Sequence, residues 1–177
     1  MTDYQPSAIA EVSCDASHGR STLVFVRELR HVPEAVWATL TRPEELGQWA
    51  PFTPDRDLAV TGSATLTMLS ASDGGPFEVD VRRAEPYEHL EYTWGDDLLV
   101  WHLAPHNGGT RLTLRHMLAD PSFLAIVAAG WHVCLDVAEA LLDGEPIGPI
   151  VAEDAMTYIE PLEIEYAARL GVATRGG

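Results

Sequence analysis

The chain has no lysine, and this absence excludes several kinds of chemistry. All 11 of its basic residues are arginines, against 27 acidic residues, so the formal net charge is −16. A Schiff base on a lysine and a phosphate loop that depends on a lysine are excluded in this chain. We expect neither nucleic acid nor a membrane as partner, because both nucleic acids and anionic membrane surfaces attract basic patches.

Signals for export, membrane insertion and disulfide formation are also scarce. Residues 1–10 contain neither a basic start nor an apolar stretch, so the protein is predicted to be cytoplasmic. The most apolar run, Phe123 to Leu135, is shorter than a membrane span and contains His132, and is interpreted as a buried helix. Cys14 and Cys134 form no CxxC pattern and are predicted to stay reduced.

Familiar catalytic and metal-binding motifs are missing as well. The sequence contains no GxSxG, GxGxxG, phosphate-loop or HExxH motif and no Cys/His cluster. We therefore expect no metal and no cofactor. His132 and Asp136, spaced i, i+4 on a predicted helix, are interpreted as a hydrogen-bonded pair on the surface.

What the sequence does contain is a strand-rich pattern of short elements. Thr22 to Arg30 alternates in polarity, and Ile9 to Asp15 is predicted to pair with it as a hairpin. Val32-Pro33-Glu34 opens a short helix, because proline is favoured in a first helical turn, and a second short helix is predicted over Pro43 to Trp49.

From Asp57 to Leu118 the pattern has a period of two and predicts an antiparallel meander. Its predicted turns are Thr61-Gly62-Ser63, Asp73-Gly74-Gly75, Gly95-Asp96-Asp97 and Asn107-Gly108-Gly109. The polar residues that alternate with the apolar set are expected on the solvent face of the sheet; they include Glu78, Asp80, Arg82, Arg111 and Arg115.

A long helix of about 22 residues is predicted between the N-cap Asp120 and the stop at Gly144. Its first half is apolar nearly all round, so it should contact the sheet on one side and another segment on the other. The tail 145–177, with a short helix from Pro161 to Leu170, is expected to cover it. We therefore predict one domain over 1–177 with its core at 21–144.

Five segments of the sequence resemble a known family. They are Pro33 to Trp49 (PEAVWATLTRPEELGQW), Leu90 to Trp94 (LEYTW), Gly109 to His116 (GTRLTLRH), Gly130-Trp131-His132 and Tyr166 to Gly171 (YAARLG). They are similar to proteins related to the heat-shock protein 90 ATPase activator, within the START-related, or SRPBCC, helix-grip superfamily. The resemblance implies an α+β fold in which a curved antiparallel sheet grips a long C-terminal helix around an internal cavity.

Family members use that cavity for different ligands. Here the predicted function is binding of a small apolar molecule, because the covered faces carry most of the aromatic side chains, namely Trp49, Phe77, Tyr92, Trp94, Trp101 and Trp131. His116 shares the inward parity of Leu112 and Leu114, so a polyketide cyclase-like or hydrolase-like enzyme with His116 as acid/base is the alternative. A protein-interaction or co-chaperone-like module, with a possible homodimer, is the second alternative. The candidate ligand-binding residues are Trp49, Met68, Phe77, Tyr92, Trp94, Trp101, His116, Leu124, Trp131 and Leu135.

Overall fold

The computed structural model describes residues 4–70 and 74–175, with the backbone alone for His18. The strands are β1 (Glu11–Asp15), β2 (Ser21–Leu29), β3 (Phe52–Pro54), β4 (Gly62–Met68), β5 (Phe77–Glu85), β6 (His89–Trp94), β7 (Asp97–His106) and β8 (Gly109–Leu118). The helices are α1 (Pro33–Thr41), α2 (Pro43–Leu46), α3 (Leu124–Leu142) and α4 (Ala152–Leu170), with 3-10 turns at Ser17–Gly19 and Pro121–Phe123.

The eight strands form one curved antiparallel sheet in the order β1-β2-β8-β7-β6-β5-β4-β3. The predicted first hairpin is confirmed, since β1 pairs with β2. The β7–β8 hairpin is closed by Asn107 and Gly108, whose φ angles of 49° and 80° are those of a tight two-residue turn. The α+β helix-grip prediction is confirmed: α3 lies across the inner face of this sheet.

The meander begins earlier than the polarity pattern predicts. The first strand of this part of the sheet is β3, and residues 55–61 form a loop instead of a strand. The Arg56 guanidinium holds that loop, because it donates at 2.7–2.8 Å to the carbonyls of Asp57, Val60, Gly62 and Ser63. The predicted turn at Asp73 lies outside the described residues.

The outer face of the sheet is polar, as predicted. Glu78, Asp80 and Arg82 are exposed there. Arg111 and Arg115 are partly exposed and reach β1, where Arg111 pairs with Glu11 at 3.2 Å and Arg115 pairs with Asp15 at 2.9 Å. No residue of this set is buried beneath α3, so the predicted register is correct.

The C-terminal helix is nearly twice as long as the sequence predicts. It runs from Ala152 to Leu170 with Pro161 inside it, whereas a helix starting at Pro161 was expected. Proline lacks the N–H that would bond the carbonyl of Thr157, but one lost bond is outweighed when both halves of a helix bury apolar residues. Ala155 and Leu162, one from each half, are buried.

A buried polar cluster joins β2, α3, α4 and the N-terminal segment. The prediction that His132 and Asp136 form a surface pair is wrong: His132 is 0% exposed, and Asp136 is buried. Asp136 forms an ion pair with Arg27, which comes from the inner face of β2, and accepts hydrogen bonds from Ser7 N–H at 2.9 Å and Tyr4 O–H at 2.7 Å. A buried cation on the sheet therefore requires the carboxylate on the helix.

Tyr166 and His132 extend this cluster through further hydrogen bonds. Tyr166 accepts a hydrogen bond from the Ala10 N–H at 3.1 Å, and burial raises the pKa of Tyr166 to about 12, so its hydroxyl keeps its proton. That hydroxyl is hydrogen-bonded to Nδ1 of His132 at 2.6 Å, and Nε2 of the same ring faces Asp136 at 3.3 Å. Residues 4–10 are thus tied to α3 and α4 by hydrogen bonds.

Gly109 is required by a close approach of two strands. A Cβ built there would lie 2.0 Å from the backbone oxygen of Leu29, which cannot move without displacing β2. We expect Gly109→Ala to lower the free energy of unfolding by about 1–3 kcal/mol. Urea denaturation measures this. Gly75→Ala is the control, because a Cβ at Gly75 meets no described atom within 4 Å; equal midpoints for the two variants would contradict the expectation.

Asp136→Ala should destabilise the protein strongly, by about 3–5 kcal/mol, because it leaves the Arg27 cation buried without its main partner. Glu139→Ala is the matched comparison. Glu139 also pairs with Arg27, at 3.1 Å, but its side chain is 26% exposed, so its substitution should cost less stability. If Glu139→Ala costs as much as Asp136→Ala in the same melting experiment, Asp136 is not the principal partner.

The same carboxylate predicts a pH dependence of stability. Burial opposes its ionisation, but hydrogen bonds from His132 and Ser7 and the charge of Arg27 prevail and hold the pKa of Asp136 well below its usual range. Its stabilising contribution is therefore complete above the unfolded pKa of about 3.9 and is lost as the pH falls toward the folded pKa. Thermal melts between pH 7 and pH 2 should show a steep loss below pH 4, smaller in Asp136→Ala.

Candidate functional site

The space between the sheet and α3 is filled by large side chains. Trp49, Tyr92 and Trp101 are each 1% exposed. Trp49 donates to the Thr39 carbonyl at 2.8 Å, and Trp101 packs edge-on against Trp131 with ring centroids 5.2 Å apart. The grip of the sheet on α3 is therefore mostly a packed core, and open space lies along one side of that helix.

Three adjoining cavities follow that side of α3, and we call them together the α3 cleft. The largest, about 460 Å³, lies between α3 and the start of α4, and its neighbour of about 200 Å³ shares Pro51, Gly130 and Cys134 with it. The third, about 380 Å³, shares Trp94 and His116 with the second. The other lining residues are Phe52, Met68, Asp96, Asp97, Leu118, Ala119, Asp120, Phe123, Val127, Trp131, Val133, Ile150, Val151, Ala152, Glu153, Ala155, Met156 and Ile159.

Gly130 stands at the junction of the two cavities that it lines. Glycine in the middle of a helix costs about 1 kcal/mol relative to alanine, so a reason for its presence is expected. Close packing is not that reason, because a Cβ at Gly130 would meet no described atom within 4 Å. The missing side chain leaves the floor of the α3 cleft open.

His116 lies at the middle of the cleft with both ring nitrogens engaged. Trp131 Nε1–H donates to its Nδ1 at 3.0 Å, and an indole nitrogen can only donate. The ring proton is therefore on Nε2, which donates to Asp97 at 2.7 Å. His116 is a neutral imidazole held between two partners, and it presents its ring to the cleft.

Two ionisable groups at the cleft have displaced pKa values. Burial opposes ionisation of Asp97, but hydrogen bonds from His116 and the Ala119 N–H outweigh it and lower the pKa of Asp97. Burial raises the pKa of the half-buried Cys134 thiol to about 12, so it stays protonated and is a poor nucleophile. The cleft thus offers a carboxylate, a neutral imidazole and a thiol among apolar side chains.

The structure brings together only some of the candidate residues from the sequence. Met68, Trp94, His116 and Trp131 line the α3 cleft. Phe77 packs behind Trp94, with ring centroids 5.1 Å apart. The remaining candidates do not line the cleft and belong to the buried core; they are Trp49, Tyr92, Trp101, Leu124 and Leu135.

Several lining residues were not among the candidates. Ile150, Met156 and Ile159 belong to the tail that was expected only to cover α3. Gly130 carried a signal, since glycine inside an apolar helix is unusual. Asp97 carried no signal in the sequence, because its contact with His116 spans 19 residues and depends on the β7–β8 pairing.

A family model described as "Activator of Hsp90 ATPase homolog 1-like protein" matches residues 30–143, which is more than half of the chain. The chain belongs to this family. The match covers the elements from α1 to α3 and leaves β1, β2 and α4 outside it. Comparison with curated proteins gives no match.

Solved structures share the fold of this family member. MLL2253 from Mesorhizobium loti is 28% identical with a TM-score of 0.60, over 70% of this chain and 97% of that one. CalU16 from Micromonospora echinospora is 17% identical with a TM-score of 0.66, over 90% of this chain and 95% of that one. The AHSA1-like protein from Aeromonas hydrophila is 20% identical with a TM-score of 0.59, over 70% of this chain and 92% of that one.

Two further observations concern metal binding and membrane insertion. Within residues 4–70 and 74–175, no three His, Cys, Asp or Glu residues are grouped so that they could hold a metal ion. The segment Pro121–Leu142 is long and apolar enough to cross a membrane, contrary to the expectation from Phe123 to Leu135, but 56% of its most apolar window is buried inside the fold. Helices at the core of soluble proteins share these properties.

His116→Ala should cost about 1–3 kcal/mol of stability, because it leaves the buried Trp131 N–H without an acceptor. His102→Ala is the control, since His102 is exposed on the outer face of the same sheet. Chemical denaturation measures both. A stability equal to wild type in His116→Ala would mean that the Trp131–His116 bond contributes nothing.

Proposed function

We propose that this protein binds a small apolar molecule in the α3 cleft. The observation that carries the proposal is the open floor at Gly130, where a larger residue would fit and would close the site. The cavities on either side of it are lined mainly by apolar and aromatic side chains, with few polar groups, as ligand sites generally are.

Binding is favoured over acid/base catalysis by the state of His116. A general base needs a free nitrogen within reach of the substrate proton, and both nitrogens of His116 are bonded to Trp131 and Asp97. Catalysis through His116 would first require one of these bonds to break. We therefore assign His116 the task of holding Trp131 at the wall of the cleft.

The proposal is tested with the neutral fluorescent probe N-phenylnaphthylamine. Wild type should bind it, and Gly130→Leu should weaken binding at least about tenfold, because the added side chain occupies the space between the two cavities that Gly130 lines. Ala140→Leu also places a leucine on α3, with one carbon fewer added, away from the cleft, and it should bind as wild type does. Equal binding by all three proteins, or none by wild type, would contradict the proposal.

Gly130→Ala tests whether the glycine is required for packing of α3. It should raise the free energy of unfolding by about 0.5–1 kcal/mol, since it improves the helix and its Cβ meets no described atom within 4 Å. A loss of stability in a thermal melt would show that Gly130 serves packing, and the argument from the open floor would fail.

A further inference from the structure

Every charged side chain that lines the α3 cleft is acidic. Asp96, Asp97 and Asp120 gather around the cavity at the start of α3, and Glu153 lies at the opposite end, in the first turn of α4. Over the part of the chain that the structure describes, none of the 11 arginines lines any of the three cavities. No lining side chain therefore offers a carboxylate or phosphate ligand a cation, and the nearest cations are those of Arg20 and Arg175 at the margin of the cleft.

The cleft is elongated, and its two ends differ. Its lining residues on α3 and the turn before it run from Phe123 to Cys134, which corresponds to about 17 Å at the helical rise of ~1.5 Å per residue. The α4 end is formed by aliphatic side chains such as Ile150 and Ile159, apart from Glu153. The Phe123 end combines the three aspartates with the aromatic ring of Trp94.

The Phe123 end already holds a cation from the chain itself. The Arg175 guanidinium lies 4.2 Å from the centroid of the Phe123 ring, a cation–π contact. Hydrogen bonds from the backbone N–H and the side chain of Ser122 to the Asp120 carboxylate lower the pKa of Asp120. The pKa of Asp97 is lowered likewise by its donors, so both carboxylates are ionised at neutral pH. Aromatic faces and ionised carboxylates are the two features that recognise organic cations.

We propose that the ligand of the α3 cleft is an elongated cationic amphiphile, with its apolar body toward α4 and its basic group among Asp96, Asp97 and Asp120. This rests on the proposed function, since it assigns the ligand class of the same cleft. The two exposed arginines nearby, Arg20 and Arg175, reduce the negative potential at this end. The preference for a cation is therefore moderate, about three- to tenfold, and sensitive to salt.

Three ligands with the same dodecyl chain test this by displacing N-phenylnaphthylamine from the intact protein below their micelle concentrations. Dodecyltrimethylammonium should bind more tightly than 1-dodecanol, and 1-dodecanol more tightly than dodecanoate. The spread should shrink as sodium chloride is raised from 20 to 500 mM. Affinity should also rise about fourfold per methylene from hexyl- to dodecyltrimethylammonium, because each methylene that enters the cleft is buried.

The double variant Asp96→Asn and Asp120→Asn removes two of the charges and keeps an Asn cap at position 120. It should bind the ammonium about three- to tenfold more weakly and the alcohol as wild type does. Glu78→Gln with Asp80→Asn is the matched control: it makes the same change in net charge on the exposed outer face of the sheet. This control should keep the wild-type preference.

The outcomes separate this inference from the proposed function. Equal affinity for all three dodecyl ligands, tighter binding of dodecanoate, or an equal loss in the control variant would overturn the cationic class while apolar binding stands. Failure of wild type to bind the naphthylamine probe or any of the three ligands would overturn both. A preference for the ammonium that disappears only in the Asp96 and Asp120 variant supports the inference.

Discussion

The position of the long helix depends on one buried ion pair. Arg27 is 9% exposed on the inner face of β2, and its charge can be buried only because Asp136 and Glu139 on α3 face it. An apolar contact would tolerate rotation of α3 about its axis, but this pairing does not, because rotation would leave a cation buried alone. Since Gly130 and Trp131 lie on the same helix, the ion pair also fixes which side of α3 forms the cleft.

The elements outside the family match help to enclose the α3 cleft. In the matched part, residues 30–143, aromatic side chains fill the space between sheet and helix. The cleft opens beside that core, and α4 supplies one wall of its largest cavity. The N-terminal segment secures α4 in turn, because Tyr166 bonds both to Ala10 and to His132. The cleft is therefore enclosed by the matched part of the chain together with elements outside it.

Alternation and turn residues were enough to predict the sheet, its solvent face and the long helix. The burial of the polar cluster was missed, although Arg27 shares the inward parity of Leu23 and Phe25 and so carried a signal. Pro161 was interpreted as a helix start because local preference cannot show that α3 supports both halves of α4. The cleft itself was only partly predictable, since periodicity tells which side chains point inward and not which of them leave space unfilled.

The open sheet has two edges, and each is blunted in a different way. At one edge, β3 has only three residues and ends at Pro54, which has no N–H to offer a neighbouring strand. At the other, β1 bears Glu11 and Asp15 and packs in part against α4. With a net charge of −16 the molecules also repel one another. A fold that would otherwise invite strand addition is thus protected against aggregation at high concentration.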